Sequence, residues 1–109
     1  MAGESEFLQG TLDLLVLQAL ARGSLHGYAV ARWIHQRTGE VILVEEGALY
    51  PALHRLEKRG LLEAEWGLSD SNRRARFYQL TARGRRELRA ETNAWLRFSQ
   101  GVSRALEVG

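Results

Sequence analysis

Residues 46–60, EGALYPALHRLEKRG, constrain this chain more than any other stretch. Leu49, Leu53 and Leu56 recur at helical spacing and form one apolar face. Tyr50, His54, Arg55 and Lys58 fall largely on the other side, so every solvent-side residue past Pro51 brings a hydrogen-bond donor. Acidic Glu45 and Glu46 at the start, a basic exit and Gly60 just beyond suit the two ends of a helix dipole. Pro51 is tolerable only near the helix start, where its missing N–H leaves the Gly47 carbonyl unbonded close to the cap. The pattern predicts a helix over 47–59 that buries one side and presents the other.

The flanking segments predict what that helix packs against. Leu8, Leu12, Leu15, Val16, Ala19 and Leu20 step at helical spacing, which places a first helix over roughly 11–22, after a frayed terminus and before a stop at Gly23. A short connection, Ser24-Leu25-His26, leads to a second helix striped with Val30, Trp33 and Ile34 and ended by Thr38-Gly39. Residues 40–44 read as one short strand. Leu62, Ala64 and Trp66 alternate with Glu63 and Glu65 as a half-buried strand, and GLSDSN over 67–72 is a turn by composition. In the returning strand, Tyr78 and Leu80 face inward, in phase with Arg74 and Arg76 nearer the turn. Thr81 is a candidate N-cap for a last helix. There Leu88, Thr92, Trp95, Ser99, Val102 and Leu106 alternate four- and three-residue steps, which makes a heptad seam.

The predicted class is mainly α with a small β-hairpin, in the order helix, helix, strand, helix, strand, strand, helix. Two helices, a donor-bearing third and a basic hairpin form a winged helix-turn-helix over 1–81. A C-terminal dimerisation helix over 82–109 completes one compact unit.

Composition narrows the function. The chain has 109 residues, which suits one domain with a modest core that oligomerisation would help. It has no cysteine, which removes disulfides, Cys-ligated zinc and thiol catalysis. His26, His35 and His54 lack metal-ligand spacing, and no nucleophile elbow or phosphate-cradling Gly-rich loop occurs. His26-Gly27-Tyr28 reads as a local turn with a tyrosine packed on it. No catalytic residue, metal site or cofactor is expected. Glu4 and Glu6 stand where a signal peptide would be positive, and no apolar run approaches spanning length, so a cytoplasmic location without membrane contact is expected.

The net charge of +2 says little, but seven arginines and a single acidic residue lie between Arg73 and Arg89. That run is either a solvated basic face or a phosphate-facing patch. Three features favour double-stranded DNA as the partner: the helix-turn-helix spacing, the arginines past the hairpin turn, and a seam longer than a lone domain can cover. Each also has a plain reading: an amphipathic surface helix, a solvated hairpin, and packing of the last helix on the first.

The motifs are similar to those of the PadR family of transcriptional regulators. The resemblance runs from Gln9-Gly10-Thr11-Leu12 through Leu25-His26-Gly27-Tyr28, residues 47–57 (GALYPALHRLE) and Gly60-Leu61-Leu62 to residues 73–81 (RRARFYQLT) and Gly84. It implies a winged-helix homodimer that represses transcription, with the last helix packed on the partner's helices. The single terminal helix resembles the family's compact branch. At residue level, Tyr50, Pro51 and His54 are expected near base edges, Arg55 and Lys58 at phosphates, and Arg73, Arg74 and Arg76 at the backbone or minor groove. Tyr28 is expected at the backbone. Ala48 falls in the same interface, where the family commonly has Ser or Thr and this chain lacks the hydroxyl. Some members bind planar compounds beside an aromatic residue of the last helix. Trp95 matches that place, with Leu14 and Gln18 as companions, although a place in the dimer core is the favoured reading of Trp95 and needs no ligand. The rival reading is a winged-helix protein-interaction module without DNA binding, which would not need the arginine wing.

Overall fold

The computed structural model describes the backbone of residues 2–107 and the side chains of residues 10–107. Its elements are α1 (Ala2–Ala19), β1 (Leu25–His26), α2 (Gly27–Arg37), α3 (Glu46–Lys58), β2 (Leu62–Leu68), β3 (Arg74–Leu80) and α4 (Ala82–Leu106). The class is as predicted: helices around a small antiparallel sheet ordered β1-β3-β2. Val16, Leu17, Leu20, Val30, Ile34, Leu49, Leu53, Leu56, Leu61, Leu62, Tyr78 and Leu80 close one core, in which no polar or charged residue is buried among the described residues. The three leucines expected on the inner face of α3 are all in it.

Three expectations change. The first helix starts at Ala2 and ends at Ala19, not at 11 and 22. Apolar spacing marks where a helix packs, and the hydrogen-bonded helix runs beyond that stripe. The expected frayed terminus is therefore helical from Ala2 on, while Met1 and the side chain of Leu8 lie outside the described residues.

Residues 40–44 form no strand. Gly39 and Glu40 both take left-handed backbone angles (φ 62° and 66°). The Thr38 hydroxyl donates to the Ile34 carbonyl at 2.8 Å and accepts from the Ile42 amide at 3.1 Å. The segment is thus tied to the end of α2. Ile42 and Val44 pack on the core while Val41 and Leu43 stand exposed, an in-and-out alternation without a partner strand among the described residues.

The third change is β1, which lies inside the expected connection. Leu25 pairs with Tyr78 and His26 with Phe77. His26 then caps α2, its Nδ1 accepting from the Ala29 amide at 3.3 Å.

Two features at the start of α4 set the remaining geometry. A Cβ on Gly84 would collide with the Leu61 carbonyl oxygen, so only glycine lets α4 start this close to the end of α3. Thr81 caps α4 as predicted, its Oγ1 accepting from the Gly84 amide at 3.0 Å while donating to the Gly60 carbonyl at 2.7 Å. From there α4 runs for 25 residues, about 38 Å at 1.5 Å per residue. The molecule measures 55 × 28 × 27 Å. No helix among the described residues is long and apolar enough to cross a membrane.

Candidate nucleic-acid interface

The outer side of α3 exposes Gly47, Ala48, Tyr50, Pro51, His54 and Lys58. Apart from Ala48 these follow steps of three and four, so they form one stripe opposite the buried leucines. Pro51 occupies the second turn, and the carbonyl it leaves unbonded belongs to exposed Gly47, where water can reach it. Glu45 is the N-cap residue but makes no side-chain cap bond, so any help from Glu45 and Glu46 comes through the dipole. Tyr50 is 42% exposed, and its ring lies against the backbone of Gly27 at the start of α2. A Cβ on Gly27 would meet that ring at 2.9 Å. The His26-Gly27 turn thus carries two tyrosines: Tyr28, whose ring stacks on His26 at 6.4 Å, and Tyr50, supplied by the next helix.

Facing this stripe is the hairpin of β2 and β3. The register pairs Leu62 with Leu80, Ala64 with Tyr78, Trp66 with Arg76 and Leu68 with Arg74. These residues share one face. Near the core that face is buried, and toward the tip it becomes exposed. Trp66, expected to be half-buried, is 60% exposed because the hairpin outruns the core at this point. The Arg74 guanidinium lies over the Trp66 indole, 4.7 Å from its centroid. At the tip, Ser69 and Arg73 close a turn through the Ser69 amide and the Arg73 carbonyl at 2.8 Å, with Asn72 left-handed at φ 61°. Arg73 and Arg74 are exposed.

Between helix and hairpin runs a groove of about 730 Å³. Tyr28 and Arg32 of α2, Tyr50 and His54 of α3, and Trp66, Arg73, Arg74 and Arg76 of the hairpin line it. Tyr28 is 64% exposed, with the Arg32 guanidinium 5.9 Å from its ring centroid. Donors and cations thus converge with flat aromatic faces, an arrangement suited to a phosphodiester backbone and the base edges beside it. Arg32 and Trp66 are additions to the expected set. Arg32 was legible in principle, because it follows Tyr28 by four residues on one helix.

Two arginines depart from expectation. Arg55 does not lie open on the presented side. Its Nη2 bonds Asp13 Oδ1 of α1 at 2.8 Å, and its Nε is buried without a partner. Arg76 is gripped by Glu57 of α3, with Nη1–Oε1 at 3.2 Å and Nη2–Oε2 at 2.8 Å. Both face a neighbouring element because a helix or strand flank beside the core is covered on one side, which spacing within one segment does not reveal.

The terminal helix divides along its length. Leu88, Thr92, Trp95 and Ser99 are half-buried, whereas Val102 and Leu106 are 41% and 75% exposed, as are Leu96 and Phe98 beside them. Trp95 shares a groove of about 320 Å³ with Gly10, Thr11 and Leu14 of α1. Leu14 is thus brought to Trp95. Gln18 is not: one turn further along α1, it lines a separate hollow with Trp33 and Arg37 of α2.

Comparison with known proteins agrees with this geometry. The model of the transcriptional regulator PadR-like family matches residues 16–90. A transcriptional regulator of Mycobacterium tuberculosis is 36% identical over 90 residues, covering 82% of this chain and 79% of its own. The crystal structure of a PadR family transcriptional regulator from Eggerthella lenta is 34% identical, with 99% of this chain and 93% of that one superposed at a TM-score of 0.77. A transcriptional regulator from Clostridium thermocellum shares the fold at a TM-score of 0.83 and 24% identity, over 94% of this chain and 99% of that one.

Proposed function

The chain belongs to the PadR-like family of transcriptional regulators, and from that premise we propose that it is a homodimeric repressor of an inverted-repeat operator. The observation that carries the reading is one continuous surface, on which the exposed stripe of α3 and the arginine-tipped hairpin flank a single groove. The stripe of Tyr50, Pro51, His54 and Lys58 enters the major groove, with Ala48 at its edge as a small surface that permits close approach. Arg73 and Arg74 meet the backbone beyond, and Tyr28 with Arg32 meets it on the near side. Arg55 stands at the margin of this surface, in a hollow with His54 and Lys58, and its ion pair with Asp13 leaves it less free to meet a phosphate. An interaction module without DNA binding would leave the converging cations of the groove without a purpose.

Two-fold symmetry of the protein would be mirrored in the operator, with half-sites about 34–36 Å apart. Exposed Val102 and Leu106, which continue the heptad seam of α4 beyond the body of the domain, support a dimer through this helix. The groove beside Trp95 and Leu14 is the place for a planar apolar effector, stacked on the indole and changing the separation of the two reading helices.

The test begins with selection of bound duplexes from a random-sequence pool, followed by footprinting and salt titration. An inverted repeat is expected. Tyr50→Ala or His54→Ala should weaken the selected duplex more than a mixed-sequence duplex. Arg74→Ala should weaken both alike and reduce the salt slope by about 0.9 for each phosphate no longer neutralised. A single unpaired half-site bound at full affinity, or no enrichment at all, contradicts the proposal.

A further inference from the structure

We propose that Arg76, although it lines the groove, serves to position the wing rather than to bind DNA: its forked ion pair with Glu57 sets the angle between hairpin and reading helix, and so sets operator selectivity. The inference rests on the DNA-reading role proposed above and adds a division of labour among the wing arginines.

β1 pairs with β3 only at Tyr78 and Phe77. Beyond those residues the hairpin is a two-stranded ribbon, the form of sheet that twists most and is marginal by itself. Among the described residues, one hydrogen-bonded tie joins this outer ribbon to the rest of the protein, and it is Arg76 to Glu57. Both guanidinium Nη atoms engage both carboxylate oxygens, which fixes orientation as well as distance. Beneath the guanidinium lies the ring of Tyr78, its centroid 5.7 Å away and its residue buried in the core. Arg76 is therefore held from below by the core and from the side by α3.

Glu57 is equally informative. It stands between His54 and Lys58 in the sequence and shares a surface hollow with both. A bare carboxylate there would repel a phosphodiester chain. Paired with Arg76 it is neutralised, and the pair presents no net charge. Arg73 and Arg74 lie two or three residues further out, about 7–10 Å along the strand. A small rotation at Arg76 is enlarged at those tips. A fixed operator spacing then distinguishes a wing held at one angle from a wing that swings.

The readout is the ratio of affinities for the pool-selected duplex and a mixed-sequence duplex, in which a charge effect common to both cancels. Glu57→Gln keeps the shape of the side chain and frees Arg76. It should lower the ratio on the order of fivefold, the scale of one half-exposed ion pair. Arg76→Lys keeps the charge but loses the fork, and it should lower the ratio as well. The exchanged pair, Glu57→Arg with Arg76→Glu, should recover most of it, and decides the question if a single variant unfolds. The opposite pattern overturns the inference. In it, Glu57→Gln strengthens both duplexes with the ratio unchanged, Arg76→Lys behaves as the parent, and the exchanged pair binds both duplexes poorly. Failure of the DNA-reading role is distinct, because then the parent protein itself shows no ratio above one.

Discussion

Single residues do different jobs here even when their chemistry is the same. Arg55, Arg74 and Arg76 are all arginines near one groove, yet Arg55 bonds α1, Arg76 bonds α3, and only Arg74 spreads over an exposed indole. Neighbouring carboxylates decide this, Asp13 in the first case and Glu57 in the second. Glycines are set apart in the same way. Gly27 admits the Tyr50 ring, which can shift, whereas Gly84 faces the fixed Leu61 carbonyl. Gly84→Ala should therefore be the more damaging change, destabilising the fold by about 3 kcal/mol, at the upper end for overpacking. Chemical denaturation measures it, and a loss no larger than that of Gly27→Ala contradicts the argument.

Elements are joined by charged contacts along their flanks. The start of α4 meets α1 and the end of α3 around Glu87 and Glu91, with Arg59 3.5 Å from Glu87. The Glu91 carboxyl is raised above its ordinary value, first by desolvation and then by the hydrogen bond and charge of Glu87, with Asp13 adding and Arg59 opposing. A carboxyl raised in the fold contributes stability below its unfolded pKa, and that contribution is lost as pH rises through the folded value. At neutral pH the ionised Glu91 thus weighs against the fold. Glu91→Gln should melt higher than the parent at neutral pH, and the gain should vanish as pH falls below about 4. Because Glu91 is largely exposed the gain is small, and a variant less stable than the parent at neutral pH would refute the assignment.

At the scale of the whole molecule, α4 decides the shape. Its N-terminal half packs on the domain, and its far end carries Val102 and Leu106 into solvent. A chain of this length with one compact body would have a radius of gyration of about 13 Å, whereas this one has 15.1 Å. Replacing Val102 and Leu106 with Glu should convert the proposed dimer to monomers in sedimentation at micromolar concentration and abolish cooperative operator binding. A parent protein that sediments as a monomer would sink the dimer proposal. Ligand titration by tryptophan fluorescence belongs to the same experiment, since an effector at the interface should lose affinity both in this variant and in Trp95→Ala.

Much was legible from the chain itself. Leu49, Leu53 and Leu56 announced the buried side of α3, Tyr78 and Leu80 the inner face of β3, and Thr81 the cap of α4, because each rests on spacing within one segment. The family, too, is written in local motifs. Contacts between distant segments were not legible. Glu57 gives no sign that it meets Arg76, nor Asp13 that it meets Arg55, and the apolar run over 40–44 is long enough for a strand although no partner strand lies beside it. Local periodicity follows from backbone geometry, which is a property of neighbours in sequence. Pairing of charges and of strands depends on which flanks the folded core leaves facing each other, and only the tertiary structure decides that.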